Sequence, residues 1–147
     1  MPSHTVEAVA QISNPPEDVI AYVANAQNRT LYLAPLTSIS NVQGESTEVG
    51  SSWSWCWSML GIDFEGVGTC TQYEAGKCYA FKTEGGIEST FTYRVEADGN
   101  GSTLTITVDF ETPAAVLALP GGEGLLEKLE QSEAETTVQN LKSILDQ

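Results

Sequence analysis

The sequence predicts an α+β fold: a seven-stranded antiparallel sheet, two short helices after its first strand, and one long C-terminal helix. Three observations carry that reading. From residue 39 to 112 apolar side chains recur with period two, interrupted only by short turn sequences. Helical signals fall outside that block, over residues 13–35 and 122–146. Consecutive strands joined by such short turns pair as antiparallel neighbours.

Residues 3–12 read as a strand with Val6, Ala8, Ala10 and Ile12 on one face. "SNPPEDVIAYVAN" follows. Ser13 or Asn14 is the expected helix cap, the prolines suit the first turn, and Glu17 and Asp18 favour the positive helix end. Val19, Ile20, Tyr22 and Val23 supply the apolar spacing of that helix. "AQNRTLYLAPL" predicts a second short helix stopped by Pro35. Strands are then expected at about 39–45, 51–59, 62–73, 77–83, 87–97 and 102–112, separated by "GESTEVG", "LG", "EAG", "EGG" and "DGNG".

The last segment, about 122–146, has no proline and no glycine after Gly124, and it is rich in Leu, Glu, Lys and Gln. Ala134, Val138, Leu141 and Leu145 form one stripe, flanked by Leu126 and Ile144. Glu127 and Glu130 prolong that stripe, an odd choice for a helix lying fully on a core. "PGGEG" at 120–124 lacks the Lys and Ser/Thr of a phosphate loop and reads as a helix-start turn.

Composition narrows the function classes. The chain of 147 residues is expected to form one domain, 1–147. Twenty acidic residues against six basic ones leave a net charge of −14. That field repels phosphate backbones and anionic bilayers, so neither nucleic-acid binding nor membrane docking is expected. No apolar run reaches membrane-spanning length, and the first residues lack a signal peptide's basic and apolar regions. Cys56, Cys70 and Cys78 are odd in number and contain no C-x-x-C, and the single histidine, His4, cannot complete a zinc site. Buried reduced thiols in a cytoplasmic protein are expected, with no metal and no cofactor, in a monomer or homodimer.

A wide, twisted sheet cannot be covered by one narrow helix, so the uncovered concave surface must hold side chains, water or a ligand. "SSWSWCWSM", residues 51–59, bears on that space, because it places Trp53, Trp55 and Trp57 on one strand face. If the "LG" turn sets Trp57 opposite Phe64, then Trp55 meets Gly66 and Trp53 meets Gly68, glycines able to receive an indole. A slip by one residue would instead oppose them with Glu65 and Val67. Three readings of the tryptophans stand at this point: core packing, an association patch on the convex face, or a ligand-lining wall. Asp109 and Glu111 alternate with Leu104, Ile106, Val108 and Phe110 and are expected in solvent. Tyr73, Tyr79 and Phe81 take no assigned face, because the "EAG" turn can hold a bulge.

This order, with "NPPEDVIAYVAN" early, "GSSWSW…G…FEGVGTCTQYEAG" in the middle, "G…STLTITVDF" late and "LKSIL" near the end, resembles the START/SRPBCC superfamily, and most of all its polyketide cyclase/dehydrase-like branch. The resemblance spans nearly the whole chain. It implies a helix-grip fold, a curved sheet wrapped around the C-terminal helix with an apolar cavity between them. Members bind lipids, sterols, polyketides, quinones or plant hormones, and some are cyclases or dehydratases. Many carry a tryptophan where this chain has Leu31, Tyr32 and Leu33. The expected ligand is thus a hydrophobic, ring-containing small molecule or lipid, lined by Trp53, Trp55, Trp57, Phe64, Phe91, Tyr93 and Phe110. Glu130, and more weakly Glu127, is the candidate acid/base group for a cyclase or dehydratase, unless it reaches solvent at the helix edge. A third reading is an interaction module that uses its apolar face to dimerise.

Overall fold

The computed structural model describes residues 3–146. Seven strands form one antiparallel sheet: β1 (Ser3–Ile12), β2 (Leu36–Gln43), β3 (Ser52–Met59), β4 (Ile62–Glu74), β5 (Cys78–Gly85), β6 (Ser89–Asp98) and β7 (Gly101–Glu111). Their order across the sheet is β1-β7-β6-β5-β4-β3-β2, so every strand from β2 to β7 lies beside its neighbour in sequence. The first strand closes the far edge against β7. Helix α1 (Pro16–Ala24), a 3₁₀ turn (Ala26–Asn28) and α2 (Arg29–Tyr32) follow β1, and α3 (Ala114–Leu117) and α4 (Gly122–Leu145) end the chain. This is the expected α+β, helix-grip arrangement.

The concave face is apolar because period two is kept along the strands. On β3 the burial alternates strictly, with all three tryptophans and Met59 inside. On β7 Leu104, Ile106, Val108 and Phe110 are inside, and Asp109 is exposed, where it accepts a hydrogen bond from the Thr5 hydroxyl. Tyr79 and Phe81 face inward opposite Tyr93 and Phe91; the register shift lies not at the "EAG" turn but within β4, between Cys70 and Gln72.

Helix α4 lies along β1 and β7. Its buried stripe is Leu126, Glu130, Ala134, Thr137, Val138 and Leu141, continued by the half-buried Ile144 and Leu145. Polar side chains fasten it to the sheet edge. Gln131 Nε2 donates to the Glu7 carbonyl at 2.9 Å and Lys142 Nζ to the Gln11 carbonyl at 2.6 Å. These bonds occupy backbone acceptors that an edge strand leaves unpaired. Asp146 accepts from the Ser13 backbone N–H at 2.7 Å, which ties the helix's end to the exit of β1.

Four sequence expectations need correction. Neither Ser13 nor Asn14 caps α1; Pro15 holds that position without a side-chain bond. The Ser13 N–H is taken by Asp146, and the Asn14 carbonyl accepts from the Ser102 hydroxyl at 2.6 Å. The second strand begins at Leu36 rather than 39, directly after Pro35, because Leu36 already pairs with Trp57. Two register shifts and a left-handed Asn41 (φ 51°) then erase its period-two signal. The one-turn α3 was not expected, since four residues are too few to show helical spacing. Cys56 is half-exposed on the outer face of β3, whereas Cys70 and Cys78 are buried as expected.

Candidate functional site

The β3–β4 hairpin takes the register in which Trp57 faces Phe64, Trp55 faces Gly66 and Trp53 faces Gly68. Both glycines carry an indole. A Cβ on Gly68 would lie 2.6 Å from Trp53 Nε1, and one on Gly66 would lie 2.5 Å from Trp55 Cζ2, distances no real Cβ shows. Glycine therefore lets the rings fold flat over the neighbouring strand and still point inward.

The rings enclose a cavity of about 40 Å³. Trp53, Trp55 and Trp57 of β3 form one wall, and Phe81, Phe91, Val108 and Phe110 of β5 to β7 form its floor. Leu33, Leu36 and Arg29 close one side, Glu130 of α4 another, and Thr83, Ile87 and Ser89 stand at the end of the β5–β6 hairpin. Phe81 and Phe91 stack at 4.8 Å, with Trp53 edge-on to Phe81 at 5.3 Å and Trp57 edge-on to Phe91 at 6.1 Å. Such pairs add about 0.5–1.5 kcal/mol each beyond their buried area.

Of the residues singled out from sequence, the three tryptophans, Phe91, Phe110 and Glu130 line this cavity. Phe64 and Tyr93 are buried but outside its wall. Phe64 sits toward the turn of the hairpin, and Tyr93 lies behind Phe81, edge-on to Tyr32 at 6.1 Å. The convex-patch reading of the tryptophans is overturned, since none is more than 8% exposed and all face the core. Glu127 is exposed and leaves the cavity to pair with His4 Nδ1 at 3.2 Å; Glu123 lies 3.4 Å from the other ring nitrogen. Helical geometry explains the split, because Leu126, Glu130 and Ala134 are four apart and share one face, from which 127 is turned by a residue.

Glu130 does not reach solvent. It is 7% exposed, and burial, aided by the nearby Glu133 carboxylate, pushes its carboxyl up to about 8. Burial alone raises Glu133 to about 7. At neutral pH Glu130 is therefore mostly a neutral acid beside the cavity, able to donate a proton.

Sequence reasoning passed over Arg29. It is 1% exposed, among the most deeply buried side chains of the molecule. Its guanidinium lies 4.1 Å from the centre of a Trp53 ring and within 5.4 Å of Phe81 and Tyr79. Nη2 donates to the Ala24 carbonyl at 3.1 Å and to the Tyr79 hydroxyl. Nε and Nη1 have no partner in the protein. The Tyr79 and Tyr32 phenols are raised by burial, against which the Arg29 charge pulls. One basic residue on a one-turn helix gives no periodic signal; only its rarity, in a chain with six basic residues, set it apart.

Among the described residues no group of three or more His, Cys, Asp or Glu side chains is placed to hold a metal ion. No helix is long and apolar enough to cross a membrane.

Residues 3–146 match the model of a family described as polyketide cyclase / dehydrase and lipid transport. No curated protein matches in sequence. Among solved structures, TTHA0849 from Thermus thermophilus superposes with a TM-score of 0.81 at 20% identity, covering 97% of both chains. The Zhui aromatase/cyclase from Streptomyces sp. R1128 gives 0.79 at 14% identity, over 99% of this chain and 94% of that one. Major latex-like protein 151 from Panax ginseng gives 0.67 at 14% identity, over 97% of each. At these identities the likeness is one of fold.

Proposed function

Because the chain belongs to the polyketide cyclase / dehydrase and lipid transport family, we propose that it binds a hydrophobic, ring-containing small molecule or lipid between its sheet and α4. The observation that carries this is the cavity itself: three tryptophans and three phenylalanines converge on it, and two ionisable side chains, Arg29 and Glu130, are buried at its wall. Enclosing an arginine and a carboxyl that do not pair carries a desolvation cost that a core built for stability alone would avoid.

At about 40 Å³ the cavity has room for roughly one water. A ring enters only as lining side chains move aside. Trp55 Nε1 and Trp57 Nε1 have no partner, so no hydrogen bond locks either indole. Half-buried Ile87 and Ser89, at the end of a hairpin, border the same space.

Tryptophan emission of the purified protein is expected to change saturably on titration with planar aromatic polyketides, quinones or sterols. Trp57→Ala should weaken binding of a responding compound by about tenfold, the loss of one desolvated aromatic contact. A monomer whose emission ignores the whole panel contradicts the proposal.

A second reading, a cyclase or dehydratase, is favoured by Glu130 alone. A flexible substrate held folded in the cavity would meet a protonated carboxyl there. Glu130→Gln should then lower turnover of a cyclisable poly-β-ketone by about 100-fold or more, the usual worth of a positioned proton donor, while leaving binding intact. Unchanged turnover removes Glu130 from the chemistry.

The net charge of −14 supports the absence of nucleic-acid partners. Three free thiols support a reducing, cytoplasmic setting.

A further inference from the structure

The buried hydrogen-bonding groups without partners that belong to the cavity's lining are all of one kind. They are Arg29 Nε and Nη1, Trp55 Nε1 and Trp57 Nε1, and every one is a donor. The cation among them has no anion. Ion pairs among the described residues involve only His4, Lys82 and Lys142 as the basic member. Glu130 lines the same cavity but is not within ion-pair distance of the guanidinium.

A structural role accounts for part of Arg29. Its Nη2 bridges the Ala24 carbonyl and the Tyr79 hydroxyl, and its face lies on Trp53. That leaves the N–H groups of Nε and Nη1, which lie on different edges of the planar guanidinium and are each free to donate a charge-assisted hydrogen bond. A buried cation compensated by ring faces and two neutral acceptors, with no anion beside it, is short of negative charge.

We infer that Arg29 anchors an acidic oxygen of the ligand, so that the cavity takes a ring-bearing apolar acid, its carboxylate or phenolate on the guanidinium, in preference to the neutral counterpart. This rests on the ligand-binding reading above and adds the ligand's polar end. The rings of the acid lie among the tryptophans, whose indole N–H groups serve any further acceptor oxygens it carries. The acidic surface repels an anion in solution, so the preference is set locally by Arg29.

The test is titration calorimetry with naphthalene-2-carboxylate and naphthalene-2-carboxamide, which share their rings and differ in charge. Wild type is expected to bind the carboxylate about tenfold more tightly or better, the usual margin of a charge-assisted bond over a neutral one. Arg29→Met should keep the carboxamide and lose the preference, and Arg29→Lys should keep part of it. Should Arg29→Met fail to fold, wild type still decides the question by NMR. The Arg29 Nε–H resonance must shift with the carboxylate and stay nearly unmoved with the carboxamide. Equal affinities in wild type, a preference that survives in Arg29→Met, or an unmoved Arg29 signal overturns the anchor and leaves apolar binding standing. Failure of both compounds to bind contradicts the ligand-binding reading itself, and the anchor with it.

Discussion

Above pH 8, Glu130→Gln is expected to stabilise the protein by a few kcal/mol, and at pH 4.5 to change little. Burial raises Glu130 from its ordinary 4.5 to about 8. The unfolded chain loses that proton near pH 4.5, whereas the folded one keeps it up to about 8. Between those values the native state holds more protons than the unfolded state, so each rise in pH withdraws stability. The loss is complete once the folded group ionises. A displacement of that size corresponds to roughly 3–5 kcal/mol by linkage. Glu133, raised to about 7 by partial burial, adds a smaller slope that remains in the variant. Urea denaturation of both proteins from pH 4.5 to 9 gives the check. Two parallel stability curves would show that Glu130 is solvated in solution.

Gly66→Ala should unfold the molecule more readily than any other single methyl added to the hairpin. Its Cβ would lie 2.5 Å from the Trp55 ring and closer still to the Glu84 carbonyl oxygen of the neighbouring strand. The ring can shift; the carbonyl belongs to the β4–β5 ladder and cannot. A cost of about 3 kcal/mol is expected, at the upper end of overpacking. Replacing Trp55 as well should recover only part of it, because the backbone clash stays. Gly124→Ala is the contrast, with open space around its Cβ and a place inside α4. It should stabilise by about 0.4–1 kcal/mol through helix propensity and a less flexible unfolded chain. Thermal or urea midpoints moving in opposite directions in the two variants verify both; a Gly66→Ala protein as stable as wild type refutes the close packing of indole on strand.

These two predictions rest on features of different legibility. The hairpin register followed from the two-residue "LG" turn and the glycines at 66 and 68, because turn length sets pairing and period two sets faces. Glu130 was likewise visible, as the acidic interruption of an apolar stripe. Its burial was not, since that depends on how closely β1 and β7 approach α4. Arg29 was out of reach for a similar reason. What makes it a cavity residue is the convergence of Trp53, Phe81 and Tyr79 from strands far along the chain. The β2 strand hid behind its bulges, and α3 behind its brevity. Glu127, the weaker candidate, is turned off the face that carries Glu130 and pairs with His4 from the opposite end of the chain.

The central claim is that a ring-bearing ligand enters the space between sheet and helix, and the chain carries its own reporters. All three of its tryptophans line that cavity. A ¹H–¹⁵N spectrum therefore shows three indole N–H resonances, each from the proposed wall. On titration with naphthalene-2-carboxylate, the Trp55 and Trp57 signals should shift saturably, together with the backbone amides around Glu130 in α4. Indole signals that stay in place while the compound perturbs only surface amides, or perturbs nothing, would contradict it.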